Sequence, residues 1–503
     1  MSQPHPSSPS TDLDVDVLVV GAGISGIAAG HYFRTMLPEK TFAILESRTS
    51  IGGTWDLFRY PGVRSDSDLQ TFGFAFKPWA RESAIADASE IMSYLHEAVA
   101  EDDLARDIRF GHRVLRADWS SDTATWTVQV QRQSADDVVE LTCRWLISGA
   151  GYYDYEEAHA PSFEGQEDFA GPVVHPQFWP EDLDYANKSV VVIGSGATAV
   201  TVVPAMADSG AGHVTMLQRS PSYVLPLPGK DPFNGLRKVL GEERAYRIAR
   251  RGNLARQRFI YNASRRHPAA VRRFIRWVNK RSLPEGYDVD LHFRPQYEPW
   301  DERLCAVRDG DLFRAISEGT VSVVTDRIRR FTPTGIELES GARLDADIIV
   351  TATGLKLLPI GGITLTVDGE DVVLKETLAY KAMMLSDVPN FVYCFGYTNS
   401  SWTLKIDLVF EHLCRLIAFM DDRGQAAVVP VADDPSVVRR PFLDFHAGYV
   451  RRAVDLFPAQ GSHGPWTLEM NYAADKVRLQ QGPVDDPALR YFGSLDRSPA
   501  LSG

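Results

Sequence analysis

The stretch Val15-Asp-Val-Leu-Val-Val20-Gly21-Ala-Gly23-Ile-Ser-Gly26 sets a β-branched apolar run directly before a glycine turn. Ile24 to Met36 continues it with the small residues Ala28, Ala29 and Gly30. This pattern predicts a strand from Asp14 to Val20, a tight turn, and a helix pressed closely on a sheet. Thr41 to Glu46 then reads as a second strand. The same grammar recurs once: the strand Ser189 to Ile193, the turn Gly194-Ser-Gly196-Ala-Thr-Ala199, and the strand His213 to Gln218. Glycines in such turns let the backbone approach a pyrophosphate, and the helix N-terminus behind them offers unpaired N–H groups and a positive dipole end. The strands beyond the two turns end in opposite charges. Glu46, twenty positions after Gly26, can accept hydrogen bonds from ribose hydroxyls and repels a further phosphate; Arg219, twenty positions after Ala199, can hold a ribose 2′-phosphate bidentately. The first turn therefore reads as FAD-binding and the second as NADP-binding.

Working outward, a chain of 503 residues with 44% apolar side chains can bury more than one core. The expected fold class is α/β, with two Rossmann-like dinucleotide-binding domains, the NADP domain inserted in the FAD domain. The limits expected are 12–157 with 340–503 for the FAD part and 158–339 for the NADP part. A helical insert is expected at about 230–290, and a disordered polar N-terminus over residues 1–11. Asp87-Ala-Ser-Glu90 resembles a capping box opening a helix that carries Ile91, Tyr94, Leu95 and Val99 on one side. Ile108 to Trp119 and Thr125 to Gln131 are β-rich, and Leu141 to Ser148 is a buried strand entering Gly149-Ala-Gly151, a small-residue crossing. Val321 to Asp326, Gly335 to Leu338 and Asp347 to Gly354 are further strands. A last helix, Thr403 to Asp421, has Ser400 and Ser401 available as caps and Gly424 beyond its end.

A formal charge of −13 excludes nucleic acid as the main partner, since phosphate binding needs a basic surface. Within this acidic chain, Arg237 to Arg281 holds fifteen Lys or Arg against only Glu242 and Glu243. A solvated helical face is the simpler reading of that segment; its rival is weak peripheral contact with anionic lipid or contact with NADP phosphates. Four scattered cysteines without a C-x-x-C pair suggest neither a disulfide framework, a zinc site nor a redox dithiol. No metal is expected. The polar start and the lack of an eighteen-residue apolar run give cytoplasmic as the expected location.

Gly52-Gly53-Thr54-Trp55-Asp56-Leu57 follows Glu46 closely, with glycines that permit backbone approach to a ligand and Thr54 and Asp56 as hydrogen-bonding groups. Arg59-Tyr-Pro-Gly-Val-Arg64-Ser65-Asp66-Ser-Asp68 by itself reads as a salt-bridged loop. Phe169-x-Gly171-x-x-x-His175-x-x-x-Trp179-Pro180 reads as an interdomain linker whose lone histidine is a structural hydrogen-bonder.

Together these pieces resemble the flavin-dependent Baeyer-Villiger monooxygenases. The 169–180 spacing is similar to that family's fingerprint, and Leu283-Pro-Glu-Gly-Tyr-Asp288 and Tyr397-Thr-Asn-Ser-Ser-Trp402-Thr-Leu-Lys405 resemble the ethionamide-activating subgroup. The likeness runs from about residue 12 to 495. It implies an NADPH- and O2-dependent enzyme that inserts oxygen beside a ketone carbonyl through a C4a-peroxyflavin, and that also oxygenates sulfides or thioamides. It implies Arg303 as the catalytic arginine and Asp66 as its partner. It further implies a flavin site of Gly21, Gly23, Ser25, Gly26, Glu46, Thr54, Trp55, Asp56, Leu57, Arg64, Ser65, Asp66 and Val114. The NADP site would be Gly194, Ser195, Gly196, Ala197, Thr198, Ala199, Val200, Thr201, Arg219 and Ser220. Glu302 stands where the family usually has a lysine, which places more weight on Arg219. A heteroatom-only flavin monooxygenase is the alternative; it carries a different linker fingerprint. A non-enzymatic carrier with a vestigial nucleotide site conflicts with two intact glycine turns.

Overall fold

The computed structural model describes residues 13–231, 233–302, 304–443 and 448–494. The expected disordered stretch 1–11 therefore lies outside the described residues. The two strand–turn–helix units seed two parallel sheets. In the first, Val15–Val20 lies between Phe42–Glu46 and Asp137–Ser148, with Ile108–Phe110 beyond and Phe391–Tyr393 on the other side, all parallel. These strands are covered on both faces, which is why their sequences are nearly continuous in apolar residues rather than alternating. The N-terminal half of Asp137–Ser148 runs on into an antiparallel extension with Thr125–Arg132 and His112–Ser120. The helix Trp402–Asp422 packs along Ile24–Met36 on one face, burying Leu408, Val409, Leu413, Leu416 and Ile417 at helical spacing.

The second sheet is parallel in the order Val321–Thr325, His213–Gln218, Ser189–Ile193, Ile348–Thr351, Val173–Val174. One expected limit moves. The boundary at 339 and 340 falls inside this unit, because Ile348–Thr351 pairs with Ser189–Ile193 and the chain leaves only at the turn Gly354. The segment then pairs back across the junction, Leu355–Leu357 against Tyr153–Ala158.

The insert consists of the helices Asn234–Leu240, Glu242–Arg266, Pro268–Ser282 and Val289–His292. It is not simply a solvated face. Arg250 turns inward, donating to the carbonyls of Gln70 and Gly73 at 3.0 and 2.8 Å and to the Tyr246 hydroxyl at 2.7 Å. Gln257 likewise bridges Asp68 and Ser400. Two expected caps work differently. Asp87 sits at its N-cap position but its carboxylate accepts from Arg308 at 2.9 Å, and the Ser401 hydroxyl pairs with Thr71 at 2.8 Å. The helix Trp402–Asp422 is also not the last: Gly448–Ala453 and Tyr472–Asp475 follow, too short for a periodic signal.

Candidate active site

Both glycine turns open on one cavity of about 1370 Å³. Gly21 has φ +96°, and a Cβ there would stand 2.9 Å from the Gly149 carbonyl oxygen, so the turn and the 149–151 crossing need their small residues. Gly194 repeats the arrangement, with φ +141° and an added Cβ 2.4 Å from the Ala352 oxygen. At Gly196 a Cβ would meet nothing within 4 Å, leaving room for a ligand to lie against the backbone. The residues present thus fit two dinucleotides: a cradle of bare backbone before each helix N-terminus, with a carboxylate on one side and a guanidinium on the other.

Of the sequence-expected residues, Gly21, Gly23, Ser25, Glu46, Thr54, Trp55, Leu57, Arg64, Ser65, Asp66 and Val114 line this cavity. So do Gly194, Ser195, Gly196, Ala197, Thr198, Thr201, Arg219 and Ser220. Four do not. A Cβ on Gly26 would lie 1.9 Å from the Gly21 oxygen, so this glycine serves the contact between helix and turn. Asp56 points away, holding Arg48 and Arg59 at 2.8 and 3.0 Å. Ala199 and Val200 are fully buried on the sheet side of their helix. Arg303 lies outside the described residues; its sequence neighbours Glu302 and Leu304 both line the cavity.

Glu46 is buried and accepts from the backbone N–H of Ala22 at 2.8 Å and of Arg48 at 2.9 Å. The Ser47 hydroxyl adds a second bond to Oε1 at 3.4 Å, so the carboxylate fixes the first glycine turn and Oε2 retains a lone pair for a ribose hydroxyl. Ser25 accepts from the Trp402 indole at 3.0 Å, which ties the 397–405 motif to the first turn. At the head of that motif, the Tyr397 hydroxyl donates to Asp475 at 2.8 Å, and Lys405 reaches the same carboxylate at 2.9 Å. Burial pulls the Lys405 ammonium below its usual range, and Asp475 opposes that shift. Arg64 forms a bidentate pair with Asp311 at 2.5 and 3.3 Å; the side chains are only 5% and 12% exposed. It joins the 59–68 loop of the first unit to the helix Asp311–Ser317 of the second unit. Desolvation pushes Tyr60, on the cavity wall, up to about 12.

The linker residues Phe169, Gly171, His175, Trp179 and Pro180 are absent from the cavity wall. His175 Nδ1 accepts from Gln177 N at 3.1 Å, which assigns the proton to Nε2, facing the Gly354 oxygen at 3.2 Å. A histidine that bonds the returning turn is a structural element. Gly171 is equally structural, since its Cβ would stand 2.2 Å from the Asp347 oxygen. Sequence reasoning missed Arg48, which lines the cavity, donates to the Gly53 carbonyl at 3.3 Å and lies 6.0 Å from the Tyr155 ring centre. Its position two residues after Glu46 was the available signal. Asp475 offered none, because the motif residues it bonds, Tyr397 and Lys405, lie 78 and 70 positions away.

Two Rossmann-type units facing one cavity, with opposite charges at their ribose positions, define an oxidoreductase of the two-dinucleotide flavoprotein class. Residues 19–84 match an NAD(P)-binding Rossmann-like domain, and residues 81–359 match the flavin-binding monooxygenase-like family. The FAD-containing monooxygenase EthA of Mycobacterium tuberculosis is 53% identical over 478 residues, covering 95% of this chain and 97% of that protein. The probable FAD-binding monooxygenase AlmA of Acinetobacter baylyi is 45% identical over 484 residues, covering 96% and 97%. An oxidized steroid monooxygenase bound to NADP shares the fold at TM-score 0.73 and 23% identity, over 95% of this chain and all of that one. An open cyclohexanone monooxygenase does so at TM-score 0.73 and 20% identity, covering 95% and 99%. The chain belongs to the flavin-binding monooxygenase-like family.

Proposed function

We propose that the chain inserts an oxygen atom beside a ketone carbonyl, giving an ester or lactone, and that it also oxygenates sulfides and thioamides. The observation carrying this is the single cavity shared by both glycine turns, Asp66, Glu302 and Leu304. Reduced FAD, when bound, supplies the oxygen chemistry, with NADPH as reductant. Glu46, Ser25 and the bare turn 21–26 would hold the flavin nucleotide, and the turn 194–198 with Arg219 the NADP. The reaction develops negative charge on a tetrahedral centre, which a fixed guanidinium in a water-excluding site stabilises. Arg303 takes this role and Asp66 orients it. Arg303→Ala is expected to retain NADPH-driven flavin reduction while losing ester formation. Product identification over a panel of ketones and sulfides tests the reading; sulfoxides without any ester favour the heteroatom-only alternative.

A second observation supports weak peripheral membrane contact. Among the described residues no helix is long and apolar enough to cross a membrane. On Pro268–Ser282, however, Phe274 and Trp277 are 55% and 57% exposed and stacked at 6.2 Å, with Arg281 placed 5.7 Å from the Trp277 ring centre. An aromatic pair framed by Arg273, Lys280 and Arg281 suits an anionic lipid surface. Sedimentation with phosphatidylglycerol vesicles, but not with phosphatidylcholine vesicles, is expected. Loss on Phe274→Ser/Trp277→Ser supports the contact, and unchanged sedimentation refutes it.

A further inference from the structure

We infer that Arg327 is a second anchor for the NADPH 2′-phosphate, forming a two-guanidinium clamp with Arg219. The inference rests on the assignment of NADP to the second glycine turn. His213–Gln218 and Val321–Thr325 are neighbouring parallel strands in the register Gln218↔Thr325, so the residues after them, 219 and 326–327, emerge side by side at the same end of the sheet. Asp326 N donates to the Gln218 oxygen at 2.9 Å, and Glu339 N to the Arg327 oxygen at 2.9 Å, which fixes the main chain of this turn on both sides. Arg219, Ser220, Asp326, Arg327 and Glu339 all line the shared cavity.

The charges at this rim are unevenly committed. The Asp326 carboxylate accepts from Arg327 N at 2.7 Å and from Ser340 N at 3.4 Å, so it is engaged with backbone donors. Among the described residues neither the Arg219 nor the Arg327 guanidinium has a hydrogen-bond or ion-pair partner. Arginines beside carboxylates ordinarily pair with them; two left unpaired on adjacent strand ends are poised for an external dianion. A single guanidinium meets competing negative charge here, because Asp326 and Glu339 line the same cavity. A planar fork on each side of one phosphate offsets this repulsion and matches its oxygen geometry.

Calorimetric titration with adenosine 2′,5′-bisphosphate and with adenosine 5′-monophosphate tests the clamp on the purified flavin-loaded protein. Arg327→Ala is expected to weaken bisphosphate binding about tenfold and monophosphate binding by less than twofold, the loss expected for one charge-assisted contact. In steady-state assays the NADPH KM rises by a similar factor, while kcat at saturating NADPH and the NADH KM stay constant. Arg327→Lys is expected to recover part of the affinity. Unchanged binding, or equal losses for both nucleotides, overturns the role of Arg327. If Arg219→Ala also spares the preference for the 2′-phosphate, the NADP assignment of this turn fails with it. Selective loss in Arg219→Ala alone removes Arg327 and leaves the assignment standing.

Discussion

Replacing Arg64 with alanine removes one half of a buried bidentate pair that joins the two nucleotide-binding units. Its partner Asp311 is 12% exposed, and its Oδ1 also accepts from Leu312 N at 2.9 Å. Without Arg64 the carboxylate retains one short-range donor and loses its counter-charge, a situation that costs about 3–5 kcal/mol. Unfolding entropy near the midpoint is about 2.1 cal/mol/K per residue, so a chain of this length melting as one unit has about 1 kcal/mol/K and Tm falls by roughly 3–5 °C. Arg64→Ala/Asp311→Ala leaves no charge stranded and is expected to regain at least half of that loss. Paired melts by circular dichroism and by flavin fluorescence release provide the measurement. A shift below about 1 °C for the single variant, or additive losses in the double variant, would refute the view that this pair pins the two units together.

Glu46→Ala should release the first glycine turn and weaken FAD binding by roughly ten- to a hundredfold, the loss of about 1.5–3 kcal/mol in charge-assisted bonding; fluorescence titration of the flavin-free protein reads it. Gly26→Ala forces a methyl group to within 1.9 Å of the Gly21 oxygen, so the variant should be recovered flavin-free or aggregated, and a yellow, fully loaded protein would contradict the packing assigned to that glycine. Burial, aided by the nearby Lys381 charge, pulls the His412 imidazole down to about 3. The unfolded chain therefore takes up this proton first: stability is complete above about pH 6.5 and is lost as the pH falls from there toward about pH 3. His412→Gln should flatten Tm against pH across that window, and an unchanged slope would show that His412 does not carry it.

The glycine turns and their charged strand ends were legible because backbone approach to a phosphate permits few residues, and the short turn-to-strand spacing keeps the pattern in one window. Twenty-odd residues sufficed to locate each nucleotide cradle. What stayed hidden depends on contacts between distant segments. Gly26 and Asp56 belong to the right motifs but face a neighbouring turn and two arginines, a distinction set by side-chain direction alone. The basic insert looked uniformly solvated, since nothing local marks Arg250 and Gln257 as the residues that reach the flavin-side unit. Ile348–Thr351 was correctly a buried strand, yet whether it joins the first sheet or the second is decided by pairing, which periodicity does not encode.

The reaction proposed for this chain is oxygen insertion beside a carbonyl at the expense of NADPH. The most direct measurement is turnover of phenylacetone by the purified flavoprotein under 18O2, with mass spectrometry of the product. Benzyl acetate carrying one labelled oxygen at the bridging ester position is expected, with one NADPH consumed per ester. NADPH consumption that yields only hydrogen peroxide across a ketone panel, or an ester without label, would contradict it.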